Sequence, residues 1–163
     1  MKWFVSVIIA AVTWVGPALA QGRVSTEDFV KKVAISDMTE IQSSQLALSR
    51  SPDADTKPFA ETMVKDHQQT SSELKTLIAS GKVHASLPVT LDAEHQKLLD
   101  DLKAKQGKQF DQAYDRMQIA AHEQAVALFE DYARNGDNPD LKSWAMKTLP
   151  HLQEHLAMAK RLS

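Results

Sequence analysis

Glycine and proline are scarce in this chain and stand far apart. The 163 residues include five glycines and six prolines, roughly 7% against a usual share near 12%. After residue 20 they are Gly22, Pro52, Pro58, Gly81, Pro88, Gly107, Gly136, Pro139 and Pro150. A sandwich or barrel needs many turns, and the long intervals between these residues show helical periodicity without strand-like alternation. The sequence therefore predicts an all-α fold.

Five helices are predicted between these breaks, over residues 25–49, 56–80, 92–105, 108–134 and 139–162. Ser25 stands three residues before Asp28, which is the spacing of a helix-capping pair. Pro58 is tolerated in the first turn of the second helix, and Gly81 is a typical C-terminal stop. The pattern predicts four long helices and one short one.

The lengths of the connections indicate how the long helices are arranged. The first and last pairs are joined by short turns, so each pair is expected to form an antiparallel hairpin. The hairpins are joined by about 26 residues that include the short helix, enough to run the length of a 37 Å helix at about 1.5 Å per residue. This predicts a ferritin-like four-helix bundle with a long crossover containing a short extra helix. An ordinary bundle with five packed helices is the alternative.

Residues 1–20 have the pattern of a secretory signal peptide. Lys2 precedes an uncharged apolar run, and Ala18 and Ala20 form a small-x-small cleavage signature. We expect cleavage after Ala20, a periplasmic or secreted location and no integral membrane span afterwards, with residues 21–163 forming a single domain. An uncleaved anchor is the alternative for this segment.

Composition excludes several classes of function. The absence of cysteine removes disulfides, thiolate metal sites and cysteine nucleophiles. The formal net charge of −2 gives no basic footprint for nucleic acid. No nucleophile triad, phosphate loop or dinucleotide motif is present, so the sequence does not indicate an enzyme.

Several polar residues fall on or beside the apolar faces of the long helices. Counting from the centre of each short turn places four of them at similar depths near mid-bundle, namely Glu40, His67, His122 and His151, and places His155 one turn further along. Buried polar groups are costly without partners. Imidazoles with a carboxylate suit one divalent ion, and His151 and His155 have the i, i+4 spacing that can share it. The pattern predicts a Zn, Fe or Cu site for sequestration, sensing or envelope stress protection.

The same residues also fit arrangements without a metal ion. Glu40 and His67 could form a buried pair that satisfies both groups. A structural or interaction bundle could instead bind an envelope partner or a second copy, with Ile35 and Leu46 as apolar residues outside the core stripes. These two residues could equally pack against the crossover helix. An ordinary di-iron site is disfavoured because its Glu-x-x-His spacing is absent. The string from His151 to His155 matches an inverted zinc-peptidase motif, but its glutamate points away from the core.

Three motifs together resemble an exported bacterial family, domain of unknown function 4142 (DUF4142). They are FAETMVKDH at residues 59–67, FDQAY at 110–114 followed by His122, and LPHLQEHL at 149–156. The resemblance spans about residues 25–161. It implies a ferritin-like helical bundle outside the cytoplasm, without an assigned reaction. It also implies that Glu40, Asp66, His67, His122 and His155 match motif positions of the family.

Overall fold

The computed structural model describes residues 23–162, so the predicted signal peptide lies outside the described residues. Five helices are present, as the sequence predicts, with boundaries that differ from the predicted ones by at most three residues. They are α1 (Thr26–Arg50), α2 (Thr56–Ala79), α3 (Ala93–Lys103), α4 (Gly107–Asn135) and α5 (Pro139–Ala159). The prediction of an all-α bundle is confirmed.

Short polar side chains cap the N-termini of two of the long helices. The Ser25 hydroxyl accepts a hydrogen bond from the Asp28 backbone N–H at 3.1 Å, at the start of α1. The Asn138 side chain accepts from the Leu141 N–H at 2.9 Å, and Pro139 follows as the first residue of α5. These caps satisfy backbone donors that have no partner inside the helix. Local sequence therefore sets the positions at which these helices begin.

Helices α1 and α4 pack side by side in opposite directions. Near the start of α1, Thr26 is hydrogen-bonded to Tyr132 near the end of α4 at 2.6 Å. Towards the other end, Ser44 of α1 is hydrogen-bonded to Tyr114 in the first half of α4 at 2.8 Å. The residue numbers rise along one helix while they fall along the other, so the pair is antiparallel.

Helices α2 and α5 form the opposite side of the bundle and are also antiparallel. Trp144 Nε1 donates to Glu73 at 2.8 Å, and His155 Nε2 donates to Asp66 at 3.0 Å. Each short turn joins two further antiparallel neighbours, α1 with α2 and α4 with α5. It follows that α2 and α4 run in the same direction across the diagonal of the bundle.

The connection from α2 to α4 must therefore return along the whole bundle. Its beginning is held at one end, where the Asn138 side chain donates to the Lys82 carbonyl at 2.8 Å. Its later part is held at the opposite end, where Arg50 donates to the Lys103 carbonyl at 2.7 Å. Helix α3 lies in this connection and packs against α1 and α4. The predicted long crossover with a short helix is confirmed.

The apolar core is divided into two clusters. The first consists of Phe29, Val30, Val33, Leu74, Val83, Phe129, Tyr132, Leu141, Trp144, Ala145 and Leu152. The second consists of Ala47, Phe59, Ala60, Met63, Leu102, Phe110, Tyr114 and Ala159. Between them along the helices lie buried polar residues, namely Asp37, Glu40, Ser43, Ser44, His67, Gln118, His122 and His155. A polar layer thus crosses the middle of the bundle.

The described surface exposes few large apolar side chains. Ile35 is buried, and Leu46 is half-buried and packs against the second cluster. The exposed large apolar residues of the described chain are Val89, Leu98 and Met146. Within residues 23–162, no helix has both the length and the apolar character needed to cross a membrane.

Asp115 is a buried carboxyl group on α4 outside the polar layer. Its Oδ1 has no hydrogen-bond partner among the described residues. Burial, together with the negative charges of Asp111 and Asp53, raises its pKa from 3.8 to about 6. Between these two values the folded chain binds more protons than the unfolded chain, so this group makes the fold less stable as the pH rises.

An Asp115→Asn variant is therefore expected to be more stable than the wild type at about pH 8, by about 1 to 2 kcal/mol after allowing for partial solvation. The difference should shrink towards zero near pH 4, where the wild-type carboxyl group is protonated. Urea denaturation of both proteins at the two pH values measures this change. An equal difference at both pH values would contradict the assignment.

Candidate metal centre

Three histidines from three different helices meet in the polar layer. His67 lies on α2, His122 on α4 and His155 on α5, and all three are buried. Their ring centroids are 5.4 to 5.7 Å apart. One ligand atom of each lies within 4.8 Å of the ligand atoms of the other two. Nitrogens bound to one zinc ion at about 2.05 Å lie about 3.3 Å apart, so small side-chain movements would bring these three onto one ion.

Two of the rings are oriented by hydrogen bonds on their outer nitrogens. His67 Nδ1 donates to Asp37 Oδ1 at 2.8 Å, and Ser71 donates to the other carboxylate oxygen at 3.0 Å. His122 Nδ1 donates to the Gln118 backbone carbonyl at 2.8 Å. Because the carboxylate and the carbonyl accept, each ring carries its proton on Nδ1. In each neutral ring, Nε2 then keeps a free lone pair.

The third ring is held by the opposite nitrogen. His155 Nε2 donates to Asp66 Oδ2 at 3.0 Å, which leaves the lone pair on Nδ1. Metal-binding histidines usually donate their outer N–H to a carboxylate or a carbonyl, which fixes the orientation of the ring. All three rings have such a partner.

The inner nitrogens of the three rings are unsatisfied. His67 Nε2, His122 Nε2 and His155 Nδ1 are buried and have no hydrogen-bond partner within residues 23–162. A buried polar atom without a partner carries a free-energy cost. Three such atoms on three adjacent rings are the donor set that a metal ion would satisfy together.

Burial keeps two of these rings in the neutral form that binds metal. Burial lowers the pKa of His155 to about 4, with the nearby His122 and His67 adding to the effect. Burial also lowers the pKa of His122. For His67, burial is the largest effect and lowers the pKa, but the hydrogen bond and charge of Asp37, assisted by Glu40, outweigh it and raise the pKa overall. The raised pKa favours a second proton, on Nε2 of this ring, which a metal ion binding there would have to displace.

Glu40 is a buried carboxylate beside the three rings. It is 1% exposed, and neither of its oxygens has a hydrogen-bond partner in the described part of the chain. Its charge raises the pKa of both His67 and His122. It is not one of the three residues whose ligand atoms lie within 4.8 Å of one another. A cation at the rings would offset the cost of burying this charge.

The five residues that the sequence predicts as metal ligands do not all meet in the structure. It brings His67, His122 and His155 together and places Glu40 beside them. His151 is exposed and lies outside this group, one helical turn from His155. The alternative in which Glu40 pairs with His67 is not found, because Asp37 is the hydrogen-bond partner of His67.

Sequence reasoning did not identify two of the groups that orient the rings. Asp37 had a detectable signal, since it falls inside the apolar stripe of α1, where an acidic residue needs a partner. The Gln118 carbonyl had no detectable signal in the sequence, because every residue has a backbone carbonyl. Only the orientation of the His122 ring shows that this carbonyl is its hydrogen-bond partner.

Comparison with solved structures identifies similar helical folds. The structure of CopM in the Cu(II)-bound form has a TM-score of 0.70 at 18% identity, covering 86% of this chain and 96% of that chain. CopM in the Cu(I)-bound form gives 0.66 at 20% identity, with 83% and 93% covered. CopM in the Ag-bound form gives 0.65 at 18% identity, with 84% and 93% covered. At these identities the likeness establishes a shared fold.

Comparison with protein sequences gives the family. No curated protein matches the chain. The model of the family described as domain of unknown function (DUF4142) matches residues 15–162, which is most of the chain and includes every residue of the polar layer. The chain belongs to the DUF4142 family.

Proposed function

We propose that this protein binds one divalent transition-metal ion in the middle of the bundle, through His67, His122 and His155. The observation that carries the proposal is the convergence of three buried imidazole nitrogens that have no hydrogen-bond partner within residues 23–162, while the opposite nitrogen of each ring is hydrogen-bonded. Glu40 supplies a buried negative charge beside the ion. Three neutral imidazoles alone would leave both positive charges of the ion uncompensated.

The donor set favours Cu(II) or Zn(II). Imidazole nitrogen suits both ions, and Cu(II) is the stronger binder of the two in the general order of divalent-metal affinity. Cu(I) prefers thiolate and thioether ligands. The chain has no cysteine, and the three converging side chains are all imidazoles. The similar fold of CopM, which is described in Cu(II)-, Cu(I)- and Ag-bound forms, supports testing copper first.

We further propose that the metal is held for sequestration or sensing outside the cytoplasm. The signal-peptide pattern of residues 1–20 supports this location. The site lies in a core built from four helices, which suits a protein that retains its ion. Such a protein would protect the cell envelope from free metal.

The direct test is metal titration of the purified protein after complete removal of metal by a chelator. Separate titrations with Cu(II) and Zn(II), followed by calorimetry and by elemental analysis after gel filtration, should give about one ion per chain. Metal binding should also raise the unfolding temperature, because the ion binds the folded chain. A protein that retains neither ion after gel filtration would refute the proposal.

Asp37 should influence metal affinity without touching the metal. An Asp37→Asn variant removes the charge that favours the His67 Nδ1–H and is expected to weaken binding by about 10- to 100-fold. Asp100→Asn is the matched control, because Asp100 is an exposed carboxylate on α3. Competition titrations against a chelator of known affinity measure both variants. Equal affinities in the two variants would show that Asp37 has no such role.

A further inference from the structure

A cavity of about 770 Å³ lies between α1, α3 and α4. It exists because α3 is short and buries only Leu99 and Leu102, so it covers the α1–α4 face incompletely. On α4 the wall extends from Ala113 to Phe129, which is about 24 Å at the helical rise per residue. Pockets of about 300–1,000 Å³ with apolar walls and a few polar groups are typical small-molecule sites. The length of this cavity suits an elongated molecule.

The wall of the cavity is mainly apolar. Four alanines of α4 contribute to it, together with the larger residues Val33, Ile35, Leu102, Met117, Leu128 and Phe129. Glu40 and His67 also border the cavity, but both Glu40 oxygens and His67 Nε2 are buried beneath its surface. A molecule in the cavity would therefore contact mainly apolar groups, and its binding does not depend on reaching the metal centre.

One large apolar side chain of the wall is exposed to solvent. Leu98 of α3 is 43% exposed and borders the cavity. Arg116 and Ala120 of α4 are also exposed residues of the wall, so the cavity opens to solvent between α3 and α4. An apolar chain inside it would cover Leu98, and the removal of apolar surface from water favours binding.

The charges around the cavity are balanced. The wall contains three basic and three acidic residues at its rim, namely Lys32, Lys105, Arg116, Asp92, Glu94 and Asp101. An ion of either sign would gain little net attraction from this rim, and it would lose hydration on entering an apolar cavity. The cavity therefore favours an uncharged molecule.

Two uncharged polar residues of the wall have free hydrogen-bonding groups. Thr39 and Thr70 donate to carbonyls of their own helices at 2.8 and 2.9 Å. The side chains of Ser36 on α1 and Gln124 on α4 have no such partner in the part of the chain that the structure describes. In the antiparallel register set by the hydrogen bonds between α1 and α4, Ser36 lies opposite residue 122, two residues from Gln124. Both groups thus border the cavity at similar depth.

We propose that this cavity binds an uncharged molecule with one elongated apolar chain and a hydroxyl group at its end. The hydroxyl group is hydrogen-bonded between Ser36 and Gln124, and the chain extends along α4 towards Ala113 and covers Leu98. From Gln124 to Ala113 the helix rises about 16 Å, which leaves room for a long alkyl chain. This binding goes beyond the proposed function, because it needs no metal ion.

The test uses chelator-treated protein with dodecan-1-ol, whose binding is followed by displacement of the fluorescent apolar probe N-phenyl-1-naphthylamine. Dodecanoate and dodecyltrimethylammonium carry the same alkyl chain with a negative or a positive end, and hexan-1-ol has half the alkyl chain. One molecule of dodecan-1-ol should bind per protein chain, about tenfold or more tightly than either ion, because burying a charge is costly. It should bind about a hundredfold or more tightly than hexan-1-ol, because each buried CH₂ contributes roughly fourfold in affinity.

Variants of α4 show whether the alkyl chain occupies the cavity. Ala125→Phe fills part of the space and should weaken dodecan-1-ol binding by about tenfold or more. Ala127→Phe is the matched control, because Ala127 is exposed and outside the cavity wall. If circular dichroism shows that Ala125→Phe does not fold, Leu98→Asp takes its place, since it puts a charge beside the alkyl chain at an exposed position.

A variant of α1 shows where the hydroxyl group lies. Ser36→Ala should weaken dodecan-1-ol binding by about threefold or more, the usual effect of losing one hydrogen bond. Ser49→Ala is its control, because Ser49 is an exposed serine of α1 outside the cavity wall. Equal affinities in these two variants would overturn the placement of the hydroxyl group.

The outcomes separate this proposal from the proposed function. The cavity proposal is overturned if dodecan-1-ol does not displace the probe, if either ion binds as tightly, or if Ala125→Phe and Ala127→Phe bind dodecan-1-ol equally well. None of these results bears on metal binding, since the protein is free of metal in this test. A protein that binds dodecan-1-ol as described but retains no metal refutes the proposed function and supports the cavity proposal.

Discussion

A His122→Ala variant is expected to lose stoichiometric metal binding, while a His151→Ala variant keeps it. Among the residues that the structure describes, His122 Nε2 is one of three buried imidazole nitrogens without a hydrogen-bond partner, and its removal leaves two ligands. The loss of affinity should exceed the roughly 10- to 100-fold typical of changes in the groups that only orient a metal ligand. His151 lies on the exposed side of α5, so its removal should change affinity less than about twofold, as for surface substitutions away from a site.

The measurement is the same chelator competition for both variants, with circular dichroism to confirm that each is folded. His122→Ala also leaves a cavity and removes the side-chain hydrogen bond to the Gln118 carbonyl. His122→Asn is therefore the second variant, because its amide can still donate to that carbonyl while the Nε2 ligand is lost. Wild-type affinity in a folded His122→Asn protein, or loss of metal in His151→Ala, would refute the three-histidine site.

A Glu40→Gln variant is expected to show two opposite effects. Without metal it should be more stable than the wild type by about 1 to 3 kcal/mol, because a buried charge with no partner is replaced by a neutral amide. With metal present it should bind the ion about tenfold or more weakly, because the compensating negative charge is gone. A substitution that stabilises the metal-free protein but weakens metal binding is characteristic of a residue that is retained for its ligand.

Urea denaturation in the presence of a chelator gives the first quantity, and metal competition gives the second. Glu61→Gln is the matched control, since Glu61 is exposed on α2 and its replacement should alter neither value appreciably. If Glu40→Gln destabilises the metal-free protein, Glu40 has a hydrogen-bonding role in the fold itself. If affinity is unchanged, its charge does not act on the metal.

Much of the fold could be predicted because it depends on local signals. Capping by Ser25 and Asn138 and the spacing of glycine and proline set the helix boundaries. Short and long connections determine which helices are antiparallel neighbours. Both kinds of information are contained in consecutive residues, so the all-α class, the five helices and the crossover all followed from the sequence.

The candidate site could be predicted only in part. Depth along each helix follows from residue counting at about 1.5 Å per residue, and this brought Glu40, His67, His122 and His151 to one level, with His155 one turn further along. Rotation about each helix axis is less well determined. His151 and His155 differ by only about 40° around α5 at 100° per residue, yet one is exposed and the other is buried in the group.

By itself, the sequence determined that this chain forms a helical bundle with polar residues at mid-height, because periodicity, caps and connection lengths are local properties. The tertiary structure alone decided which of those residues meet. It placed Asp37, rather than Glu40, against His67 and left both Glu40 oxygens without a partner among residues 23–162. It also selected His155 over His151. The physical reason is that the rotation of each helix is set by the packing of two apolar clusters from all four long helices, and that packing is a property of the assembled core.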